Sequence, residues 1–205
     1  MRGFYFITDS RLSLAGNISD VKSALAAGVR VIQYRDKYAT TKKMYEEALQ
    51  LRKLCKGATL LINNRLDLAL AVGADGVHLG SSDLPYKIAR SLLGKKRIIG
   101  LTVHSLQEAR EAQILGADYL GVSPVFATAT KSDAGAPAGT DLIRRIKKSV
   151  SLPIVAIGGI NLQNAEEVVL SGADSLCAIS AVVGKADVKR EISRYQGLFK
   201  RHGAL

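Results

Sequence analysis

One phrase recurs four times where a helical pattern gives way to an apolar run: Ala27-Gly28-Val29, Val72-Gly73-Ala74-Asp75, Leu115-Gly116-Ala117-Asp118 and Ser171-Gly172-Ala173-Asp174. Glycine just past a helix end enters the left-handed region at no steric cost, so each copy reads as a helix stop and a short turn into a strand. Near-copies of one device imply equivalent crossovers in one sheet. Strand-like runs stand at Tyr5–Thr8, Val29–Gln33, Thr59–Ile62, Gly76–His78, Arg97–Leu101, Tyr119–Val122, Ile154–Ile157 and Ser175–Ile179. Helical patterns fall at about 18–27, 41–56, 65–72, 84–93, 105–115, 139–149, 161–171 and 185–200, with candidate caps at Thr40 or Thr41, Ser105, Thr140 and Asn161. Eight alternations predict an α/β chain folded as a single (β/α)8 TIM barrel domain over residues 1–205, ahead of a doubly wound sheet that reuses the same turn.

Composition narrows the partners. The 29 Lys+Arg against 18 Asp+Glu leave a formal charge of +11, which favours anionic ligands. Much of the excess, in Arg144-Arg145 with Lys147-Lys148, Lys95-Lys96-Arg97 and Lys200-Arg201, falls on helix faces and ends. Aromatics are 5% of residues and none interleaves these runs, so no nucleic acid is expected. No apolar run is long enough for a membrane span, and residues 1–9 reach an acidic turn too early for a secretory segment. Cys55 and Cys177 are isolated, without a CxxC, and read as core thiols of a cytoplasmic protein.

Polar clusters follow the apolar runs, at the end where barrels carry their chemistry. Gln33-Tyr34-Arg35-Asp36-Lys37 places Gln33, Arg35 and Lys37 at alternate positions toward one mouth, arginine as a fork and lysine as a point charge for an anion. Gly158-Gly159-Ile160 follows the seventh run and Ile179-Ser180 the eighth, the two positions where barrels commonly hold phosphate. The long segment 123–138 reads as a lid or binding loop, because Val125 and Phe126 are poor residues to leave in water, and its Lys131 can close over the same anion.

Asp83 either caps the following helix or holds a hard cation such as Mg²⁺, which one carboxylate and substrate phosphates commonly bind. Asn63 and Asn64 offer carboxamides at the same mouth. His78 and His104 end the fourth and fifth runs and His202 lies in the tail, a spacing that fits no zinc motif. His78 reads as strand-end packing, a substrate contact or, third, a general base. The absence of a G-x-S-x-G elbow leaves no sign of a hydrolytic nucleophile.

Taken together, Tyr5-Phe6-Ile7-Thr8-Asp9, Gln33-x-Arg35-x-Lys37, Asn63-Asn64-Arg65-x-Asp67, Ala74 to Gly80 with Asp83 and Pro85, Gly100 with His104, Pro124-x-Phe126-x-Thr128-x-Thr130-Lys131 and Ala156 to Ile160 resemble the thiamine phosphate synthase family. The resemblance implies an Mg²⁺-dependent transferase that joins a hydroxymethylpyrimidine diphosphate to a thiazole phosphate, as a cytoplasmic homodimer. It assigns Gln33 and Asn63 to the pyrimidine, and Arg35, Lys37 and Lys131 to the diphosphate. Asp83 goes to the metal, with Asn64 in the place of a second ligand. Thr128, Thr130, Gly159, Ile179 and Ser180 fall to the thiazole phosphate, and Thr102 to the leaving diphosphate.

The chain departs from the family pattern at Asn64, where a carboxylate is usual, at Ser81 for a glutamine, and at Ser123 for a glycine. These departures keep open a related thiazole tautomerase, which needs neither diphosphate nor Mg²⁺, and a noncatalytic phosphate-binding regulator. Against the tautomerase stand Pro124, where that enzyme commonly has a catalytic histidine, and the Arg35-x-Lys37 pair, which it often lacks.

Overall fold

The structure is a computed structural model that describes residues 1–128, 130 and 135–203. Eight strands, β1 (Gly3–Ile7), β2 (Val31–Tyr34), β3 (Thr59–Asn63), β4 (Gly76–Leu79), β5 (Ile98–Val103), β6 (Tyr119–Val122), β7 (Ile154–Ile157) and β8 (Ser175–Cys177), close into a barrel in chain order. Every neighbouring pair is parallel, β8 returning to β1. The outer helices are α1 (Asn17–Ala26), α2 (Thr41–Leu54), α3 (Leu66–Ala71), α4 (Tyr86–Leu93), α5 (Leu106–Leu115), α6 (Gly139–Ser149), α7 (Ala165–Leu170) and α9 (Val188–Arg201), with a single turn, α8 (Ile179–Val182), before the last.

Strand alternation divides the core in two. Tyr5, Ile7, Val31, Leu61, Tyr119, Val155 and Cys177 fill the barrel interior, whereas Phe4, Phe6, Ile32, Leu60 and Ile62 point outward into the layer shared with the helices. Strands buried on both faces account for the continuous apolar runs in the sequence.

The recurring phrase closes the N-terminal end of the barrel. Gly28, Gly73, Gly116 and Gly172 all have positive φ, between 63° and 98°. The aspartate that ends three copies does one job three times. Asp75, Asp118 and Asp174 accept from the backbone N–H of Leu60, Ile99 and Ile154, at 2.7, 2.7 and 2.9 Å, near the starts of β3, β5 and β7. Each also pairs with a cation from an even-numbered helix, namely Arg52, Arg90 and Lys147. The copy before β2 lacks the aspartate, and Gln196 of α9 instead accepts from Phe4 N–H at 3.2 Å.

Several boundaries differ from the sequence expectation. Val29 N–H closes α1 by donating to Ala24 O, so β2 begins two residues later, at Val31. Strand eight ends at Cys177, and Ile179 and Ser180 open α8 instead of extending it. Thr40 and Ser105 cap α2 and α5 as expected. Thr140 does not cap α6: Ala138 and Gly139 donate to Pro124 O and Val125 O, and the Thr140 hydroxyl donates across to Glu167 of α7. Asn161 and Asn164 bracket a side-chain-bonded turn, which delays α7 to Ala165.

Candidate active site

At the C-terminal mouth one cavity collects residues from most of the strand ends: Gln33, Arg35, Lys37, Asn63, Asn64, His78, Asp83, Thr102, Thr128, Thr130, Gly158, Gly159, Ile179 and Ser180 all line it. Lys131 lies outside the described residues. Every other site residue expected from the sequence is thus brought together.

The cavity floor is polar and connected. Gln33 donates from Nε2 to Tyr5 Oη at 2.7 Å, Tyr5 Oη lies 2.8 Å from Tyr119 Oη, Tyr119 Oη lies 2.8 Å from His78 Nδ1, and His78 Nε2 lies 2.9 Å from Thr102 Oγ1. Two glycines make room for these rings. A Cβ on Gly100 would fall 2.0 Å from Tyr119 Cζ, and one on Gly121 would fall 2.8 Å from His78 Cε1. Burial pushes the Tyr5 and Tyr119 phenols well above the ordinary tyrosine range, so both stay protonated. Tyr5 and Tyr119 were missing from the sequence reading, in which aromatics inside apolar runs pass for plain core.

Arg35 is a cation held in place at this mouth. Its Nη1 lies 3.1 Å from Asp9 Oδ2, with both side chains almost out of solvent. Thr8 clasps the same residue twice: Arg35 N–H donates to Thr8 Oγ1 at 2.8 Å, and that hydroxyl donates to Arg35 O at 3.0 Å. Asp9 Oδ1 meanwhile accepts from the amides of Arg11 and Leu12, leaving the carboxylate well satisfied. Lys37 is exposed beside it. Burial opposes ionisation of the intervening Asp36, yet the amides of Tyr38 and Ala39 donate to it and hold its carboxyl below the usual range.

Across the mouth, the turn after β7 and the segment after β6 pack backbone to backbone. Gly158 and Gly159 have φ of 101° and 64°; a Cβ on the first would meet Pro124 Cα at 2.7 Å and on the second Ala127 O at 2.4 Å. Phe126 N–H donates to Gly158 O at 3.0 Å. The paired glycine therefore has a packing reason as well as its place beside Thr128, Thr130 and the opening of α8.

On the β3 and β4 side, Asp83 does not cap α4, whose N-cap is Pro85; its Oδ2 accepts from Gly80 N–H at 2.7 Å and folds the loop over the cavity. Asn64 is exposed, with φ of 51°, and its N–H donates to His78 O at 2.9 Å.

A family model described as thiamine monophosphate synthase matches residues 4–182. The chain belongs to that family. It is 52% identical over 199 residues to the thiamine-phosphate synthase of Methanosarcina barkeri, covering 97% of this chain and 90% of that one. Identity to the thiamine-phosphate synthase of Chloroflexus aurantiacus is 50% over 187 residues, 90% of this chain and 86% of that one. Thiamine phosphate pyrophosphorylase from Pyrococcus furiosus superposes with a TM-score of 0.90 at 42% identity, over 97% of this chain and 96% of that one.

The donor set suits a hard cation bound with its ligand. Among the described residues no group of three or more His, Cys, Asp or Glu gathers at one point, but Asp83 and the two asparagines put one carboxylate and two carboxamides on the same cavity. Mg²⁺ commonly keeps water and takes one or two carboxylates plus substrate phosphates, so these residues fit it. Cys177 touches the cavity from below, but burial pushes its thiol up and keeps it protonated, which removes it as a nucleophile. Ser81 and Ser123 both line the cavity at the positions where the chain departs from the family pattern.

Proposed function

We propose that the protein joins 4-amino-2-methyl-5-hydroxymethylpyrimidine diphosphate to 4-methyl-5-(2-phosphoethyl)thiazole, or its carboxylated form, releasing diphosphate, and CO₂ as well from the carboxylated form, to give thiamine phosphate. Family membership supports the reaction. The gathering of a carboxamide floor, a held cation and the Asp83 carboxylate in one cavity is the observation that carries it to this site.

The electron-rich aminopyrimidine stabilises positive charge at its methylene carbon as the C–O bond to diphosphate breaks, and the thiazole nitrogen lone pair forms the new C–N bond. No protein nucleophile is needed. Gln33 and Asn63 orient the ring; Arg35, Lys37 and Lys131 take the charge that develops on the leaving group; Thr128, Thr130, Gly159, Ile179 and Ser180 hold the thiazole phosphate, so orientation and preorganised charge supply the acceleration. Asp83, with Asn64 beside it, would hold Mg²⁺, which when bound neutralises part of the diphosphate charge. The assembly consistent with the family resemblance is a homodimer in the cytoplasm.

Against the tautomerase reading stands Pro124, buried against Gly158 at the position where that enzyme commonly has a catalytic histidine. Purified protein given both substrates and Mg²⁺ should form thiamine phosphate and diphosphate in equal amounts. Isomerisation of the thiazole carboxylate phosphate with no thiamine phosphate would overturn the reading.

A further inference from the structure

The buried chain across the barrel floor has a direction. Gln33 gives an amide N–H to Tyr5 Oη, and Tyr119 Oη is the neighbouring oxygen placed to take the Tyr5 proton, so satisfying that buried hydroxyl turns Tyr5 toward Tyr119. On that polarity Tyr119 Oη accepts from Tyr5, and its own proton is satisfied by His78 Nδ1, 2.8 Å away. With Nδ1 an acceptor, the ring proton falls on Nε2, which then donates to Thr102 Oγ1. A hydroxyl that accepts from His78 has its own proton to give, and Thr102 lines the cavity.

We propose that Tyr5, Tyr119 and His78 are positioning residues: they fix His78 as the Nε2–H tautomer and so hold the Thr102 hydroxyl as a one-way hydrogen-bond donor to the departing diphosphate. The identity of that acceptor rests on the synthase reading; the direction of the chain does not. The same polarity uses the amide N–H end of Gln33 on Tyr5 and leaves its carbonyl oxygen as the end suited to a substrate amino group. An aminopyrimidine therefore reinforces the direction that aims Thr102, whereas a group that donates nothing to Gln33 favours a flipped amide and a reversed chain. Linked hydrogen bonds in a dry interior polarise one another, so the two ends of the floor respond together.

The packing supports a built feature. The space that Cβ atoms would take at Gly100 and Gly121 is filled by the Tyr119 and His78 rings, and Gln33, Tyr5, Tyr119 and His78 are all buried. The two phenols keep their protons through burial, so the chain can carry a fixed direction through two hydroxyls.

The direct test is the tautomer of His78 in the protein without substrate, read from imidazole ¹⁵N chemical shifts, with His104→Gln and His202→Gln identifying the other two signals. The expected pattern is a protonated Nε2 and an unprotonated Nδ1. A protonated Nδ1 would reverse every bond in the chain and overturn the proposal, whether or not the enzyme makes thiamine phosphate. Kinetics give a second reading on the same groups. Tyr119→Phe and Tyr5→Phe keep the rings and should each lower kcat about tenfold, less than the ~10²–10³-fold typical when such a donor is itself removed, with KM for the thiazole phosphate unchanged. Combined with Thr102→Val, Tyr119→Phe should add almost nothing to the Thr102→Val loss, because both act through one donor. Fully additive losses would refute the coupling.

Discussion

The two ends of this barrel use charge in opposite ways. At the N-terminal end Asp75, Asp118 and Asp174 repeat one arrangement, each carboxylate taking a strand amide and a helix cation. At the C-terminal end the described carboxylates divide their work: Asp9 and Asp36 each tie down two amides of the turn that follows, Asp9 also holds Arg35, and Asp83 folds its loop onto Gly80 N–H. Repetition marks the charges that close the ring, because each crossover poses the same geometric problem. The charges outside that repeat are the ones the proposed function gives to its ligands. Even the missing fourth copy fits, since Gln196 answers the Phe4 amide with a neutral group from a different helix.

The sharpest way to separate the ends is to remove one charge from each. Arg35→Ala should lower kcat/KM for the pyrimidine diphosphate by about 10²-fold or more, because a held guanidinium facing developing negative charge in a sheltered site is lost. Steady-state kinetics of the variant measure this, and activity equal to wild type would take from Arg35 its proposed role. Arg35→Lys should recover only part of the loss, since an ammonium keeps the charge without the fork that meets both Asp9 and a phosphate oxygen.

At the other end, Asp118→Ala should leave kcat/KM nearly unchanged and cost stability instead. The Ile99 amide loses its acceptor and Arg90 its partner, and orphaning one such donor costs about 1–3 kcal/mol. Urea unfolding followed in parallel with activity checks the contrast. If Asp118→Ala cut turnover as deeply as Arg35→Ala, the division of labour between the two ends would fail.

Much of the repeated end was legible in the sequence because it is written by local rules. A glycine at C′ announces itself, and the alternation along an apolar run turns Gln33 inward; Asn63 was placed at the same mouth by following its run, and Thr102 by the family resemblance alone. What escaped reading depends on closure. Asp9 meets Arg35 only because β1 lies beside β2, and Tyr5 reaches Tyr119 only across the closed interior. The signal for Tyr5 was present in its alternation with Ile7, which places a hydroxyl inside an otherwise apolar lining. Gly158 and Gly159 were readable as a turn but not as the floor under Pro124 and Ala127, a contact between segments more than 30 residues apart.

The smallest expected effect tests the least repeated corner. Asn64 adopts φ of 51°, a left-handed conformation that asparagine and aspartate tolerate better than most residues, so Asn64→Asp should fold normally. A second carboxylate near Asp83 would add roughly 1 kcal/mol of attraction for a cation in high dielectric, lowering the Mg²⁺ concentration for half-maximal activity about fivefold, and less at high salt. Asp83→Asn should raise that concentration sharply, since it removes the only carboxylate assigned to the ion. The competing view gives Asn64 nothing beyond its backbone bond to His78 O. On that view Asn64→Asp leaves the metal titration where it was while Asp83→Asn still moves it. A Mg²⁺ titration of thiamine phosphate formation in the wild type and both variants, at saturating substrates, separates the two. An unchanged titration in both would detach this corner from the metal altogether and leave the diphosphate to the cations alone.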